Sequence, residues 1–443
     1  MSLWRIFQLD LRALALTRIL FGISLLLDIA TRLPDFNLFY TDQGVLPRSC
    51  FICRAWSLHN LSGSLSWTTF LFVVQILAAL AMIFGFRTRA ATVLSWLLLV
   101  SLNHRNRFVL QSGDSMAMAT LFWAMFLPWG SYYSLDAKKL KDTPKVISGL
   151  PTFAFLFQMA MVYGLTGFHK SGPQWHSDYS ALYHIFMAEQ YSTPLSAVLL
   201  DYPLLLKIVT ACVLYFEISF PVLLLFPFAW IRASLIFGLL GLHLGILTFM
   251  NVGMFPLYSM SIVFSLLPSR AFRNPEEPRP EILKIHLWQK SAIVAALTGI
   301  ILSVFVGSRM ANFKAPVDRF IHALGVRQPW IMFAFGESHI WWHVIKAEAR
   351  DGQTLNLFPE PHPYSEAQPE RVDKLYRSQR WLKLMANLKR RVRKPERHRL
   401  LISLCRPEYR SVELLYLTQE ILPEKKYGDV RIRSLSKIEC SPP

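Results

Sequence analysis

Charge is what this chain has little of. Only 17% of its 443 residues are Asp, Glu, Lys or Arg, against 53% hydrophobic and 14% aromatic. Soluble domains carry about 25% charge. The shortage is uneven: 25 basic and 15 acidic residues follow from Arg309 onward, leaving 22 and 14 for the 308 residues before it. That distribution excludes a secreted globule, a disordered chain and a coiled coil, and describes a membrane-embedded portion followed by an extramembrane one. Cysteine is scarce as well, and five is an odd number that makes no disulfide framework. Cys50 and Cys53 have C-x2-C spacing without a second pair to complete a zinc site. They read as two plain thiols or one local bridge, and Cys405 and Cys440 as thiols of the tail. The chain also lacks a P-loop, a Gly-rich dinucleotide fingerprint, a G-x-S-x-G elbow and an H-E-x-x-H pair. Its histidines are too scattered to suggest a metal site. Chemistry, if there is any, takes place in or at a membrane.

What is present is a series of apolar runs. About 20 residues are needed to cross the hydrocarbon core. Runs of that order lie at Ala13–Leu33, Ser66–Phe86, Leu150–Phe168, Leu204–Phe226, Ile231–Met250 and Ser291–Ser308, with shorter ones at Ala90–Leu102, Met116–Trp129 and Met254–Leu267. The expectation is a mainly α, polytopic transmembrane bundle of about nine spans, some of them short. No small-residue cleavage site follows the first run, so it reads as a retained span. The basic residues Arg87, Arg89, Lys138, Lys139, Lys141, Lys145, Arg270, Arg273, Arg279, Lys284 and Lys290 all fall on one side if the N-terminus is cytoplasmic. An odd number of spans then places the tail outside, in the periplasm or the lumen. The same bias accounts for the net charge of +18 without nucleic acid. In the tail, Ile340–Ala347 and Thr354–Phe358 read as a hairpin, Val372–Leu388 as an amphipathic helix, Glu396–Leu404 as a second helix and Ser411–Leu422 as a strand. The tail is therefore a small α+β region.

Ionisable groups inside apolar runs are costly and mark candidate sites. Arg18, Asp28, Glu217 and His243 are such groups. For each, an interhelical hydrogen bond is the plain reading. Arg18 and Asp28, ten residues apart, sit about 15 Å apart along a helix, so each needs a partner elsewhere. Two clusters are denser: Asn103-His104-Arg105-Asn106-Arg107 leading to Gly113-Asp114, and Gly167-Phe168-His169-Lys170 leading to Trp175. Lys170 at a helix end is either a snorkelling side chain or a desolvated base. The residues alone leave both open.

The opening Arg18, Gly22, Asp28 and Arg32 before Phe39–Arg48, the Asn103–Asn106 segment with Gly113-Asp114, Phe126–Gly130, Lys170–Trp175 and Asn251–Pro256 together resemble the HTTM family. This is the membrane domain shared with vitamin K-dependent gamma-glutamyl carboxylase. The resemblance runs over roughly residues 8–310. It implies an HTTM-like transmembrane domain over 1–310 and an extramembrane domain over 311–443, in a bacterial inner membrane or the ER membrane. It implies reduced vitamin K (hydroquinone or menaquinol) as cofactor, O2 and CO2 as co-substrates, no metal, and a glutamate-containing protein as substrate. A glutamate γ-hydrogen is too weak an acid for any side chain, so the base must arise from the cofactor. By resemblance, Lys170 deprotonates the quinol and His104 stabilises the carbanion. Arg105, Phe168, His169 and Trp175 then belong to the quinone pocket. The animal enzyme has a second lysine where this chain has His169, and a far longer lumenal region. The rival reading is a non-catalytic immunity, receptor or scaffold protein that holds a peptide partner. A transporter is disfavoured because no repeated halves are visible.

Overall fold

The computed structural model describes residues 5–48, 56–272, 279–305, 311–390 and 393–441. Cys50, Cys53 and the boundary expected at residue 310 lie outside them. The bundle consists of α1 (Leu11–Arg32), α2 (Leu65–Phe84), α3 (Thr88–Arg105), α4 (Ser112–Ala124), α5 (Leu150–His169), α6 (Pro203–Leu223), α7 (Ala229–Phe249), α8 (Phe255–Val263) and α9 (Leu287–Phe305). All nine apolar runs form helices, but among the described residues six are long and apolar enough to cross a membrane: α1, α2, α5, α6, α7 and α9. Helices α4 and α8 are 13 and 9 residues long, and α3 carries Arg89, His104 and Arg105 on only 18 residues. The expected count of about nine spans therefore reduces to six by length and composition.

Local signals set the helix limits. Asp10 caps α1, its carboxylate accepting from the Arg12 amide at 2.9 Å. Helix α2 starts at the Ser64 cap and stops at Gly85, which takes the left-handed conformation with φ 65°. The contact that positions the site is between α5 and α6. A Cβ on Gly164 would lie 2.8 Å from Pro221 Cγ, and one on Gly167 would lie 2.9 Å from the Ile218 amide nitrogen. These two glycines, three residues apart on one face, let α6 approach closely enough to bring Glu217 beside the end of α5.

The tail begins with α10 (Ala311–Ala323) and continues as a sheet. Strand β1 (His339–Ala349) pairs antiparallel with β2 (Thr354–Asn356) on one side and with β3 (Tyr409–Leu422) on the other, and β3 pairs with β4 (Arg431–Glu439). The expected hairpin and strand are both there. The expected long helix over Val372–Leu388 is broken: a single turn at Val372–Leu375 is separated from α11 (Gln379–Leu388) by extended backbone at Tyr376 and Ser378. Helix α12 (Lys394–Leu404) follows. Cys405 and Cys440 are not separate thiols but a disulfide joining the end of α12 to the end of β4. The core of the tail is continuous with the bundle, because Ile29, Phe39, Phe72 and Phe108 pack in one cluster with Trp341, Trp381 and Leu414.

Candidate functional site

Lys170 ends α5 and its side chain is 5% exposed, so it does not snorkel to the headgroups. Its ammonium is ion-paired with Glu217, itself 7% exposed, and stands 4.5 Å from the centroid of the Trp175 ring. The five-residue spacing between Lys170 and Trp175 becomes a contact because a short helix, Pro173–His176, folds the chain back. The Trp175 indole donates to the Phe333 carbonyl at 2.8 Å, and His176 Nε2 donates to the Lys170 carbonyl at 2.6 Å.

This pair faces a cavity of about 450 Å³. Most of its wall is apolar, including Val162, Leu182, Ile246, Met250 and Phe255. Tyr163 and His243 also line it, their Oη and Nε2 atoms 2.8 Å apart. His243 is 1% exposed and its Nδ1 has no hydrogen-bond partner. The far end is built by the tail, with Glu337, Gln379, Lys383 and Arg390 in the wall. A partly open cavity with more apolar than polar wall and a few polar groups is a common form of a small-molecule site.

A family model for the HTTM domain matches residues 7–269, more than half of the chain. The chain belongs to the HTTM family. No curated protein and no solved structure matches it. Lys170, Trp175, Glu217 and His243 all fall inside the HTTM domain, whereas the tail residues of the cavity lie beyond it.

The other residues singled out from sequence are elsewhere in the HTTM domain. His104 is not in the cavity wall. Its ring stacks on His322 of α10 with centroids 4.6 Å apart, and its Nδ1 is 2.8 Å from the Trp56 carbonyl. The tail places His322 there, and burial, helped by His104 and Arg107, pushes its pKa down to about 4. Arg105 is fully buried and donates to the carbonyls of Leu46 and Thr41 at 3.0 Å, holding the loop after α1. Phe168 is 77% exposed, on the outside of the bundle. His169 Nδ1 turns back to the Leu165 carbonyl at 2.7 Å. Of the six residues marked for the site, the cavity brings together Lys170 and Trp175. Sequence reasoning noted Glu217 and His243 only as buried polar groups and missed Tyr163. The signal was present in their position on adjacent apolar runs. Among the described residues, no group of three His, Cys, Asp or Glu side chains could hold a metal ion.

A second ionic group lies in the same domain. Arg32 pairs with Asp28 at 2.8 Å and with Asp114 at 2.6 Å, and Arg380 from α11 pairs with the same two carboxylates at 2.7 and 3.1 Å. All four side chains are at most 3% exposed. Arg18, by contrast, donates to the Tyr133 carbonyl at 2.6 Å.

Proposed function

We propose that this protein is an integral membrane enzyme of the vitamin K-dependent gamma-glutamyl carboxylase type, binding reduced vitamin K in the Lys170 cavity and using O2 and CO2 as co-substrates. The observation that carries this reading is a buried lysine–carboxylate pair facing a cavity whose wall is mostly apolar. The residues suit the group: apolar walls accept a fused ring, Trp175 lines the same wall, and Lys170 offers a polar contact for an oxygen. When bound, the quinol supplies with dioxygen the base strength that no side chain has.

The chain's own part is to move one proton. Lys170 and Glu217 form a pair with no net charge. Glu217 takes a proton from the Lys170 ammonium, and the freed amine takes the proton of a quinol hydroxyl. The ammonium restored on Lys170 Nζ would stabilise negative charge on an oxygen held beside it. Glu217 keeps the proton it accepted, so the count closes. Trp175 and the apolar walls exclude water from this exchange. His104, which the resemblance links to the carbanion, takes no part in the steps at this cavity.

The reading places the tail in the periplasm or ER lumen and the N-terminus in the cytoplasm. The Cys405–Cys440 disulfide supports this, since disulfides persist in oxidising compartments. The test is to incubate purified protein with reduced vitamin K and oxygen, with and without a glutamate peptide, and to assay epoxide and carboxylated product. Wild-type protein is expected to form epoxide, and Lys170→Ala to lose most of it at pH 7 and regain part as pH rises. Epoxide formed by Lys170→Ala at the wild-type rate would remove the base assignment. No epoxide from the wild type under any condition would favour a non-catalytic HTTM scaffold.

A further inference from the structure

Away from the cavity, the tail meets the bundle again at the end of α3, and the charge gathered there is almost all of one sign. Two indoles fix the end of α10: Trp56 Nε1 donates to the Ala323 carbonyl and Trp96 Nε1 to the Leu324 carbonyl, both at 3.0 Å. Gly325 then takes the left-handed conformation with φ 69°, and a Cβ on it would lie 2.9 Å from Val100 Cγ2. The turn brings Arg327 within electrostatic reach of His322 and of Arg107. The later part of the tail holds the segment after α3. Asn387 Nδ2 donates to the Phe108 carbonyl at 2.7 Å, and the Arg393 guanidinium lies 4.8 Å from the Phe108 ring centroid. Arg107, Arg327 and Arg393 thus come to one place from three separate segments. Arg107 and Arg327 are exposed. Among the described residues neither forms an ion pair, and the one carboxylate paired within the group is Glu396, 3.2 Å from Arg393. Partial desolvation, then repulsion from Arg327 and Arg393, pushes the Arg107 guanidinium down. Guanidiniums crowded in this way gain from an anion that several forks can share, and phosphate oxygens match that geometry.

We propose that Arg107, Arg327 and Arg393 form a binding site for a phosphate group, supplied by the headgroup of an anionic phospholipid at the end of the bundle from which the tail emerges. The lipid source follows from depth. A Cβ on Gly299 of α9 would lie 2.8 Å from Ile321 Cγ2 of α10, and Ser303 Oγ donates to the Asp318 carboxylate. Gly299 is six residues before Phe305, about 9 Å along the helix. The end of α10 therefore lies against the last turns of a membrane-spanning helix, with Phe305 and Phe320 exposed beside it. That is the boundary between headgroups and acyl chains, the level at which indoles such as Trp56 and Trp96 collect. Basic pockets at this level hold lipid phosphates. None of the three arginines lines the Lys170 cavity, so the site stands apart from the quinol reading.

The experiment mixes full-length protein in neutral detergent with equal amounts of phosphatidylglycerol and phosphatidylcholine, and reads bound lipid by native mass spectrometry. Wild-type protein is expected to retain phosphatidylglycerol about tenfold in preference to phosphatidylcholine, whose choline brings a cation back to the cluster. Arg107→Gln combined with Arg327→Gln should lower that retention about tenfold, with thermal unfolding in the same detergent confirming that the variant is folded. If the double variant is unfolded, Arg327→Gln alone is expected to lower retention in the same direction. Arg410→Gln combined with Arg431→Gln removes the same charge from exposed positions on the sheet of the tail and should leave retention unchanged. Equal retention of the two lipids, wild-type retention by a folded Arg107 and Arg327 variant, or an equal loss in the sheet variant overturns the proposal. Inorganic phosphate and glycerol phosphate at the lipid's concentration are expected not to displace it; displacement would give the cluster to a soluble phosphate and overturn the lipid assignment. The readout involves no quinol, so a protein that makes no epoxide would leave this result standing.

Discussion

The Asp28–Arg32–Asp114–Arg380 network and the Lys170–Glu217 pair are both buried and both without net charge, yet the network ties the HTTM domain to Arg380 of the tail, whereas the pair lies within that domain and lines the cavity. In the network every carboxylate oxygen accepts a hydrogen bond: Asp28 from Arg32 and Arg380, Asp114 from Arg32, Arg380 and the Gln111 amide. No carboxylate oxygen of the network is left over for a ligand. The pair instead lines a cavity of about 450 Å³ that no member of the network lines. Burial of charge thus marks architecture in one place and a candidate site in the other. The deciding feature is open volume beside the charged pair.

The strongest way to sharpen this contrast is to remove each group whole. Replacing the pair by Lys170→Met with Glu217→Met should leave stability nearly unchanged, since apolar residues of similar size substitute well for a buried ion pair. It should lower epoxide formation by about 10²–10⁴-fold, the usual contribution of a positioned acid–base group. A fully active double variant would put the chemistry elsewhere. Breaking the network should act the opposite way. Arg380→Leu leaves two buried carboxylates sharing one guanidinium, at a cost of about 3–5 kcal/mol, read as a lowered unfolding temperature and a tail that becomes sensitive to protease. A normally stable Arg380→Leu variant would mean that the network is not what holds the tail.

Two smaller effects concern the tail alone. Cys405→Ser should cost about 3 kcal/mol by freeing a loop whose ends are 35 residues apart. In intact cells or spheroplasts, an impermeant maleimide should label this pair only after reduction; labelling that also needs permeabilisation would invert the topology. His322 should make a modest acid-sensitive contribution. Its pKa falls from 6.5 to about 4 on folding, so the unfolded chain takes up the proton first, and stability declines as pH drops from about 6.5 to about 4. His322→Phe should flatten that decline in a pH series of thermal unfolding curves.

Much of the fold could be read from the chain because its signals are local. Apolar runs placed the helices, and alternation placed β1, β2 and β3. Strand β4 escaped because Arg431, Arg433 and Lys437 mask its alternation and most of it is exposed. The pairing of Cys405 with Cys440 was hidden because their proximity depends on β3 and β4 lying side by side. At the site, Lys170 and Trp175 were visible because they are close in sequence. Glu217 lies 47 residues from Lys170, and its role depends on the approach that Gly164 and Gly167 allow. The Asn103-His104 motif is legible in the chain, but the stack of its ring on His322 depends on the docking of the tail. Lys383 could not have been connected to Lys170 by any spacing rule, because they come to line one cavity only through the docking of the tail.

The reach of Arg380 into the bundle has a consequence for how the protein is made. Synthesis proceeds from the N-terminus, so Asp28, Arg32 and Asp114 enter the membrane before residue 380 exists. Until the tail has been translated and docked, the newborn bundle carries two carboxylates against one guanidinium at its heart. A chain truncated before residue 380 keeps that imbalance for its whole life. The last third of the protein thus acts as a completion signal for the first two-thirds, and incomplete molecules bear an internal charge defect that membrane proteases and chaperones can act upon.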